Sequence, residues 1–382
     1  MTSAAAERIT GLDGVRALAV FLVILIHAGL LGCGWIGVQI FFVLSGFLIS
    51  RILLDQKDRA PGAARYFGVF YLRRTLRIFP AYFAYLILVA LGVWALDAAL
   101  WPRLRAMLPF LFSYTYNYGL LWPDPPRSMW LAHLWSLCVE EQFYLLWPLL
   151  IWLLPKRHFG KLVAVVLLAG PGLRAAVWLW ARTLPQLPIT PANLVYVFTS
   201  SHLDAFATGA ALCLPAVRAA ALRLPGWAFA ALALAAIAAG ALASGGALRA
   251  SGHGPPLTLG YPVLLPARGE WLWGYSVVNL LALVLIAKVA FGGFAHGLFR
   301  HRAVDAFGRV SYGAYLIHHG LMLPFAIAGA WLAQRLEWPP LAVVLLWLPP
   351  YVLLVYGLAR LSFQHFEMAF LRLKDRPLAR PA

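Results

Sequence analysis

An all-α fold crossing a membrane about ten times is the fold class this chain predicts, on three observations. Only 12% of its residues are charged while 62% are hydrophobic, roughly half the charge of a soluble domain. Its 382 residues leave room for roughly ten spans of about 20 residues with short loops between them. With the N-terminus placed in the cytoplasm, Lys and Arg divide 22 to 7 in favour of that side, and Arg174 and Lys288, which fall within spans, complete the 31. That bias sets orientation, so both termini are expected in the cytoplasm and residues 1–382 are read as one integral-membrane domain.

Taken in order, the apolar runs place spans at 13–31, 36–53, 79–99, 134–154, 162–181, 193–214, 226–243, 271–291, 312–333 and 340–360. The first is not expected to be a cleaved leader, because the run is long, no A-x-A site follows and the next span begins almost at once. Leu30-Leu-Gly-Cys33 resembles a lipoprotein cleavage site, but cleavage there would discard the whole first span. Between the second and third spans, loop 54–78 is the most basic stretch and is expected on the cytoplasmic side. Outer loop 100–133 is rich in Trp, Tyr and Pro and is expected to fold partly back into the membrane, while outer loop 244–270 is Gly/Pro-rich and irregular. No internal repeat is visible, which argues against an inverted-repeat transporter. The net charge of +17 lies in loops that set topology, so no nucleic-acid partner is expected. Cys33, Cys138 and Cys213 have no metal spacing and are expected as buried free thiols, and no metal site is expected.

Arg16 and His27 lie eleven residues apart in the first span. At ~100° and ~1.5 Å per residue they share one helix face about 16 Å apart. Ionisable groups within a span are costly and mark function. His27 suits a base working near neutral pH; its bland alternative is a histidine that bonds a neighbouring helix. Arg16 either snorkels to the headgroups, pairs with Asp13 three residues earlier, or clamps an anion, since its guanidinium fork matches phosphate. A ligand with phosphates at one end and a reactive group roughly 15–20 Å away fits this spacing, and coenzyme A thioesters have that shape.

Further along, Arg73, Arg74 and Arg77 precede the third span, where they either anchor it or bind phosphate. Glu140 and Glu141 open the fourth span, each on a face shared with Tyr144. Carboxylates near a helix N-terminus are favoured electrostatically; the sharper reading has them bind a sugar hydroxyl or orient a histidine. Arg174 and Asp204 fall deep within spans, where mutual pairing would lower the burial cost of each. His318 and His319 sit in the ninth span. No HExxH, CxxC, P-loop or GxSxG pattern appears.

Several separated blocks resemble acyltransferase family three, the integral-membrane O-acyltransferases that include bacterial O-antigen, exopolysaccharide and Nod-factor acetylases and macrolide acylases. Leu12-Asp-Gly-Val-Arg16 through His27 resembles the family's Arg-x10-His signature. Gly34-Trp-Ile-Gly-Val-Gln-Ile-Phe-Phe-Val-Leu-Ser-Gly-Phe-Leu-Ile49, Arg73-Arg-Thr-Leu-Arg-Ile-Phe-Pro80, Trp135-Ser-Leu-Cys-Val-Glu-Glu-Gln-Phe-Tyr144 and Ser311-Tyr-Gly-Ala-Tyr-Leu-Ile-His318 match its later blocks in order. The chain departs where His202 stands two residues before Asp204, a place the family often gives to Arg, and where the C-terminal motif is reduced to Glu367-Met-Ala-Phe370.

The resemblance implies a multi-pass enzyme of the bacterial inner membrane that transfers an acyl group from cytoplasmic acyl-CoA, acetyl-CoA first among donors. The acceptor it implies is a hydroxyl of a cell-envelope glycan such as lipopolysaccharide, or of a lipid-linked sugar. His27 and Glu140 are the expected catalytic residues, and Arg16, Arg73, Arg74 and Arg77 the expected donor-binding residues. Asp13, Ser45, Glu141, Tyr144, Arg174, Asp204 and His318 are expected at the substrate, with Ser45, Tyr144 and Glu140 as candidates for stabilising the carbonyl oxygen. Some relatives carry a fused SGNH-type esterase domain; none is expected within 1–382. Two other classes stay open: a transporter or flippase of a lipid-linked sugar, and a non-catalytic partner in polysaccharide assembly.

Overall fold

The computed structural model describes residues 9–122, 124, 125, 128, 130–184, 186–244, 257–262 and 269–375. Among them every regular element is helical, as lipid demands of a chain whose backbone groups must be satisfied within each segment. The helices are α1 (Leu12–His27), α2 (Ile36–Arg59), α3 (Ala63–Leu96), α4 (Trp101–Phe112), α5 (Tyr116–Gly119), α6 (Trp135–Leu153), α7 (Phe159–Thr183), α8 (Pro191–Val197), α9 (Leu203–Ala211), α10 (Pro215–Arg223), α11 (Gly226–Ala243), α12 (Glu270–Phe291), α13 (His296–Phe299), α14 (Arg302–Arg309), α15 (Ser311–Leu336), α16 (Pro340–Ser362) and α17 (Met368–Leu371).

Each of the ten expected spans coincides with helical structure, with three corrections. Seven helices are long and apolar enough to cross a membrane, or eight if the pair Thr199–Ala211 and Pro215–Arg223, bent by 84°, is one span. The other two expected spans fall short: α1 has only 16 residues, and α6 carries Glu140, Glu141 and Gln142 in its first half. The sixth expected span is broken into α8, a 3-10 turn at Thr199–His202 and α9. The basic stretch 54–78 is not a loop: α2 runs through Arg59 and α3 begins at Ala63, because Lys and Arg are good helix formers whatever their charge. Segment 100–133, expected as an outer loop, contains α4 and α5. Most of segment 244–270 lies outside the described residues, as do Arg8, Arg127, Arg249, Arg268, Arg376 and Arg380 of the charge count. Leu88, Leu96, Leu168, Leu242 and Trp227 are exposed on helices, as expected of lipid-facing side chains and not of a water-soluble surface. The protein is a multi-pass membrane protein.

The chain forms two compact units interleaved in sequence, Met1–Phe47 with Ala205–Ser311 and Leu48–Asp204 with Tyr312–Ala382. In the first, α1 packs on α12, α13 and α14, and backbone contact is made through glycine. A Cβ at Gly308 would run into the Asp13 carbonyl, and one at Gly209 into the Val43 carbonyl, the small-residue approach used between helices in lipid. In the second, Lys57 Nζ donates to the carbonyls of Ile151 (2.6 Å), Trp152 (2.8 Å) and Leu154 (2.6 Å). It thereby caps α6, whose last carbonyls have no partner within the helix. All three cysteines are free, Cys33 and Cys138 fully buried.

Candidate functional site

In the first unit, α1 is unbroken from Leu12 to His27, so Arg16 and His27 do stand on one axis. Eleven residues give a rise of about 16 Å and an offset of about 20°. Both are half-buried. Arg16 Nη1 donates to Asp13 Oδ1 on the preceding turn, so Asp13 orients the guanidinium while leaving it 24% exposed. His27 is the last residue of the helix. Ser45 is half-buried on α2.

In the second unit, Tyr144 O–H donates to Glu140 one turn earlier on α6. The Arg74 guanidinium lies over the Tyr144 ring (5.5 Å) and the Phe70 ring (5.9 Å), and its charge reaches Glu141. Arg74 is half-buried, whereas Arg73 and Arg77 are exposed; the basic cluster is thus one inward cation and two outward ones. Arg77 acts on Glu367, which is buried and accepts a hydrogen bond from Ser362 Oγ at 3.1 Å. The reduced C-terminal motif therefore keeps its glutamate within electrostatic reach of Arg77 on α3.

Around this carboxylate pair lie tyrosines that sequence reasoning did not single out. Tyr82 O–H donates to the Leu111 carbonyl at 2.9 Å and Tyr312 O–H to that of Ile78 at 3.0 Å. Tyr114 stacks on Tyr82 (ring centroids 4.3 Å) and Phe79 (5.4 Å). Its backbone is left-handed (φ 53°), an outlier for a bulky residue. The carbonyl of Tyr114 accepts from Gln142 Nε2 at 2.7 Å, and the same amide nitrogen donates to Asn117 Oδ1 at 3.0 Å.

Three buried histidines cluster at the N-terminal end of α6, His133 just before it and His318 and His319 on α15. His133 Nε2 donates to the Leu316 carbonyl at 2.9 Å and His318 Nδ1 to that of Tyr315 at 2.7 Å. Since a carbonyl only accepts, each of those nitrogens carries the proton. The His133 ring lies 5.2 Å from His318 and 5.5 Å from His319, and Ser136 and Tyr315 share a hydrogen bond of 2.5 Å beside them. Among the described residues no group of three His, Cys, Asp or Glu is placed to hold a metal ion. His318 is therefore locked by its backbone bond within a packed ring cluster.

Arg174 and Asp204 meet as an ion pair at 2.9 Å, with both side chains at most 2% exposed; the same guanidinium nitrogen also donates to the Ser201 carbonyl at 3.0 Å. Gly170 lies against this pair: a Cβ there would be 2.6 Å from that of Asp204. His202, at the position of departure, donates Nε2–H to the Tyr196 carbonyl at 2.8 Å.

Compared with known proteins, a family model described as an acyltransferase domain matches residues 9–362. The peptidoglycan O-acetyltransferase OatA of Listeria monocytogenes is 35% identical over 221 residues, which is 53% of this chain and 33% of its own length. The putative peptidoglycan O-acetyltransferase YrhL of Bacillus subtilis is 34% identical over 236 residues, 57% of this chain and 35% of its own length. A putative O-acetyltransferase of Staphylococcus aureus is 35% identical over 150 residues, 37% of this chain and 24% of its own length. The chain thus spans about a third or less of the length of these relatives. No solved structure matches.

Proposed function

The chain belongs to the acyltransferase-domain family, and from that premise we propose that it transfers an acetyl group from cytoplasmic acetyl-CoA to a hydroxyl of a cell-envelope glycan in the bacterial inner membrane. The relatives named for peptidoglycan make a peptidoglycan-type amino sugar the leading acceptor, ahead of lipopolysaccharide. The reading keeps ten spans with both termini in the cytoplasm and one catalytic domain.

In this mechanism Arg16, oriented by Asp13, holds a phosphate of the donor, and the pantetheine arm runs along α1 to His27. His27 removes the proton of the acceptor hydroxyl as its oxygen attacks the thioester carbonyl. The C–S bond then breaks, and coenzyme A leaves as the thiol with the proton that His27 returns. Positioned general-base catalysis contributes about 10²–10⁴-fold, and alignment of donor with acceptor lowers the barrier by several kcal/mol more. Arg73, Arg74 and Arg77 are a second set of phosphate ligands. Glu140 and Glu141 act on the acceptor, Ser45 or Tyr144 on the carbonyl oxygen, and Arg174, Asp204 and His318 support the acceptor side.

One observation carries the reading: a single unbroken helix bears a half-buried guanidinium and a half-buried imidazole in line, at the reach of a pantetheine arm. The test is acetyl transfer by the protein in lipid nanodiscs, followed by mass spectrometry. His27→Ala is expected to lose about 10²–10⁴ in rate, and Arg16→Lys to raise the KM for acetyl-CoA more than that for the acceptor. A folded, fully active His27→Ala protein refutes the general-base role, and the reverse KM pattern refutes the clamp.

A further inference from the structure

Within the tyrosine cluster of the second unit, one hydroxyl is unlike its neighbours. Tyr82 and Tyr312 each direct their O–H at a backbone carbonyl. Tyr114, 6% exposed, has its hydroxyl oxygen buried with no hydrogen-bond partner among the described residues. A buried polar group left without a partner is disfavoured by about 1–3 kcal/mol. The backbone holding it adds to that, since a left-handed conformation at a bulky residue is strained by ~1–3 kcal/mol. Stacking on Tyr82 and Phe79 and the Gln142 bond to its carbonyl fix the ring in place. The fold therefore tolerates two unfavourable features in presenting one phenol.

Its surroundings say what it is presented to. Gln142 grips the Tyr114 backbone, and the residue before it, Glu141, acts electrostatically on the hydroxyls of Tyr114, Tyr82 and Tyr312. Glu141 is half-buried and makes no hydrogen bond or ion pair among the described residues. A donor and an acceptor thus stand within electrostatic reach without bonding to each other. The group that satisfies both must accept from a phenol and donate to a carboxylate at once. A hydroxyl, of an alcohol or of water, does this with one oxygen; a carbonyl or an amide nitrogen does not.

We propose that Tyr114 and Glu141 form a socket for one hydroxyl of the acceptor saccharide, Tyr114 donating to its oxygen and Glu141 accepting its hydrogen. This deepens the acceptor half of the function proposed above and rests on it. A site built around a hydrogen-bonded hydroxyl discriminates strongly against ligands that lack it, because its own buried polar groups are then left unpaired.

The experiment measures binding without donor, so that it stands apart from the transfer assay. The protein in nanodiscs is titrated calorimetrically with N,N′,N″-triacetylchitotriose, for wild type, Tyr114→Phe, Glu141→Gln and the double variant. Tyr114→Phe keeps every ring contact and is expected to weaken binding about tenfold while leaving the thermal midpoint unchanged or higher, since the orphan hydroxyl is gone. Glu141→Gln is expected to weaken binding by a similar factor. The double variant is expected to be no worse than the weaker single one, because both groups hold the same hydroxyl. Undiminished binding by Tyr114→Phe overturns the socket, as does a double loss equal to the product of the two single losses. Wild-type protein that binds the saccharide but transfers no acetyl group leaves the socket standing and overturns the proposed reaction instead.

Discussion

The Arg174–Asp204 pair allows a stability prediction with a definite size. Both side chains are buried and joined at 2.9 Å, and the guanidinium also supplies the Ser201 carbonyl at 3.0 Å. Asp204→Asn leaves an uncompensated buried guanidinium, and Arg174→Met an uncompensated buried carboxylate; each is expected to destabilise by about 3–5 kcal/mol. The double variant buries no charge. Its remaining deficits are the Ser201 carbonyl and the amide introduced at position 204, for which ~1–3 kcal/mol in total is expected. If the single changes sum to roughly 6–10 kcal/mol, the coupling between the sites is at least about 3 kcal/mol. Asparagine is chosen over leucine because Gly170 leaves no room beside position 204. The assay is reversible unfolding in mixed micelles on a titration of SDS, with all four proteins compared at one lipid composition. Single variants that cost under about 1 kcal/mol, or a double variant whose cost is their sum, would refute the structural reading. A double variant that regains stability yet fails to transfer acetyl groups would give the pair a role at the acceptor beyond holding the fold.

Two further outcomes are expected. Gly209→Ala forces a methyl into the Val43 carbonyl and should destabilise by ~1–3 kcal/mol, whereas Gly357→Ala on α16 meets nothing within 4 Å and should be neutral or stabilising by up to ~1 kcal/mol; thermal midpoints in detergent check both. Burial pushes the Cys33 thiol up to about 11, so at pH 8 its thiolate fraction is ~10⁻³ against about a quarter for an ordinary cysteine; in a background lacking Cys138 and Cys213, alkylation should run about 200-fold slower than for an exposed cysteine in an unstructured peptide and rise about tenfold per pH unit up to pH 10, and fast pH-independent labelling would contradict this.

Much of the fold was legible because lipid leaves the backbone few choices. A long apolar run must be helical, and all ten expected spans coincide with helix. What failed were inferences from charge and from continuity. The stretch 54–78 looked like a loop for its arginines, yet Lys57 points at the end of α6 and caps it, a contact across ninety-odd residues that no local pattern announces. The sixth span broke at Thr199–His202, where the Ser201 carbonyl turns to Arg174 and the His202 ring to Tyr196. Polar groups within a run that averages apolar find partners of their own, and the helix gives way where they do.

The candidate site divides along the same line. Asp13 with Arg16 was readable because three residues on a helix are neighbours, and Arg174 with Asp204 because two buried charges without partners would be intolerable. Both arguments need only spacing or cost. Tyr114 had neither: it lies in a run of aromatic loop residues, and its hydroxyl became notable only once stacking, a left-handed backbone and the Gln142 bond fixed its direction. Sequence reveals a polar group whose burial must be compensated, but a group left uncompensated is visible only when every neighbour that might have satisfied it has been placed. Ligand sites consist largely of the second kind, since a donor already satisfied within the protein has nothing left to offer a substrate.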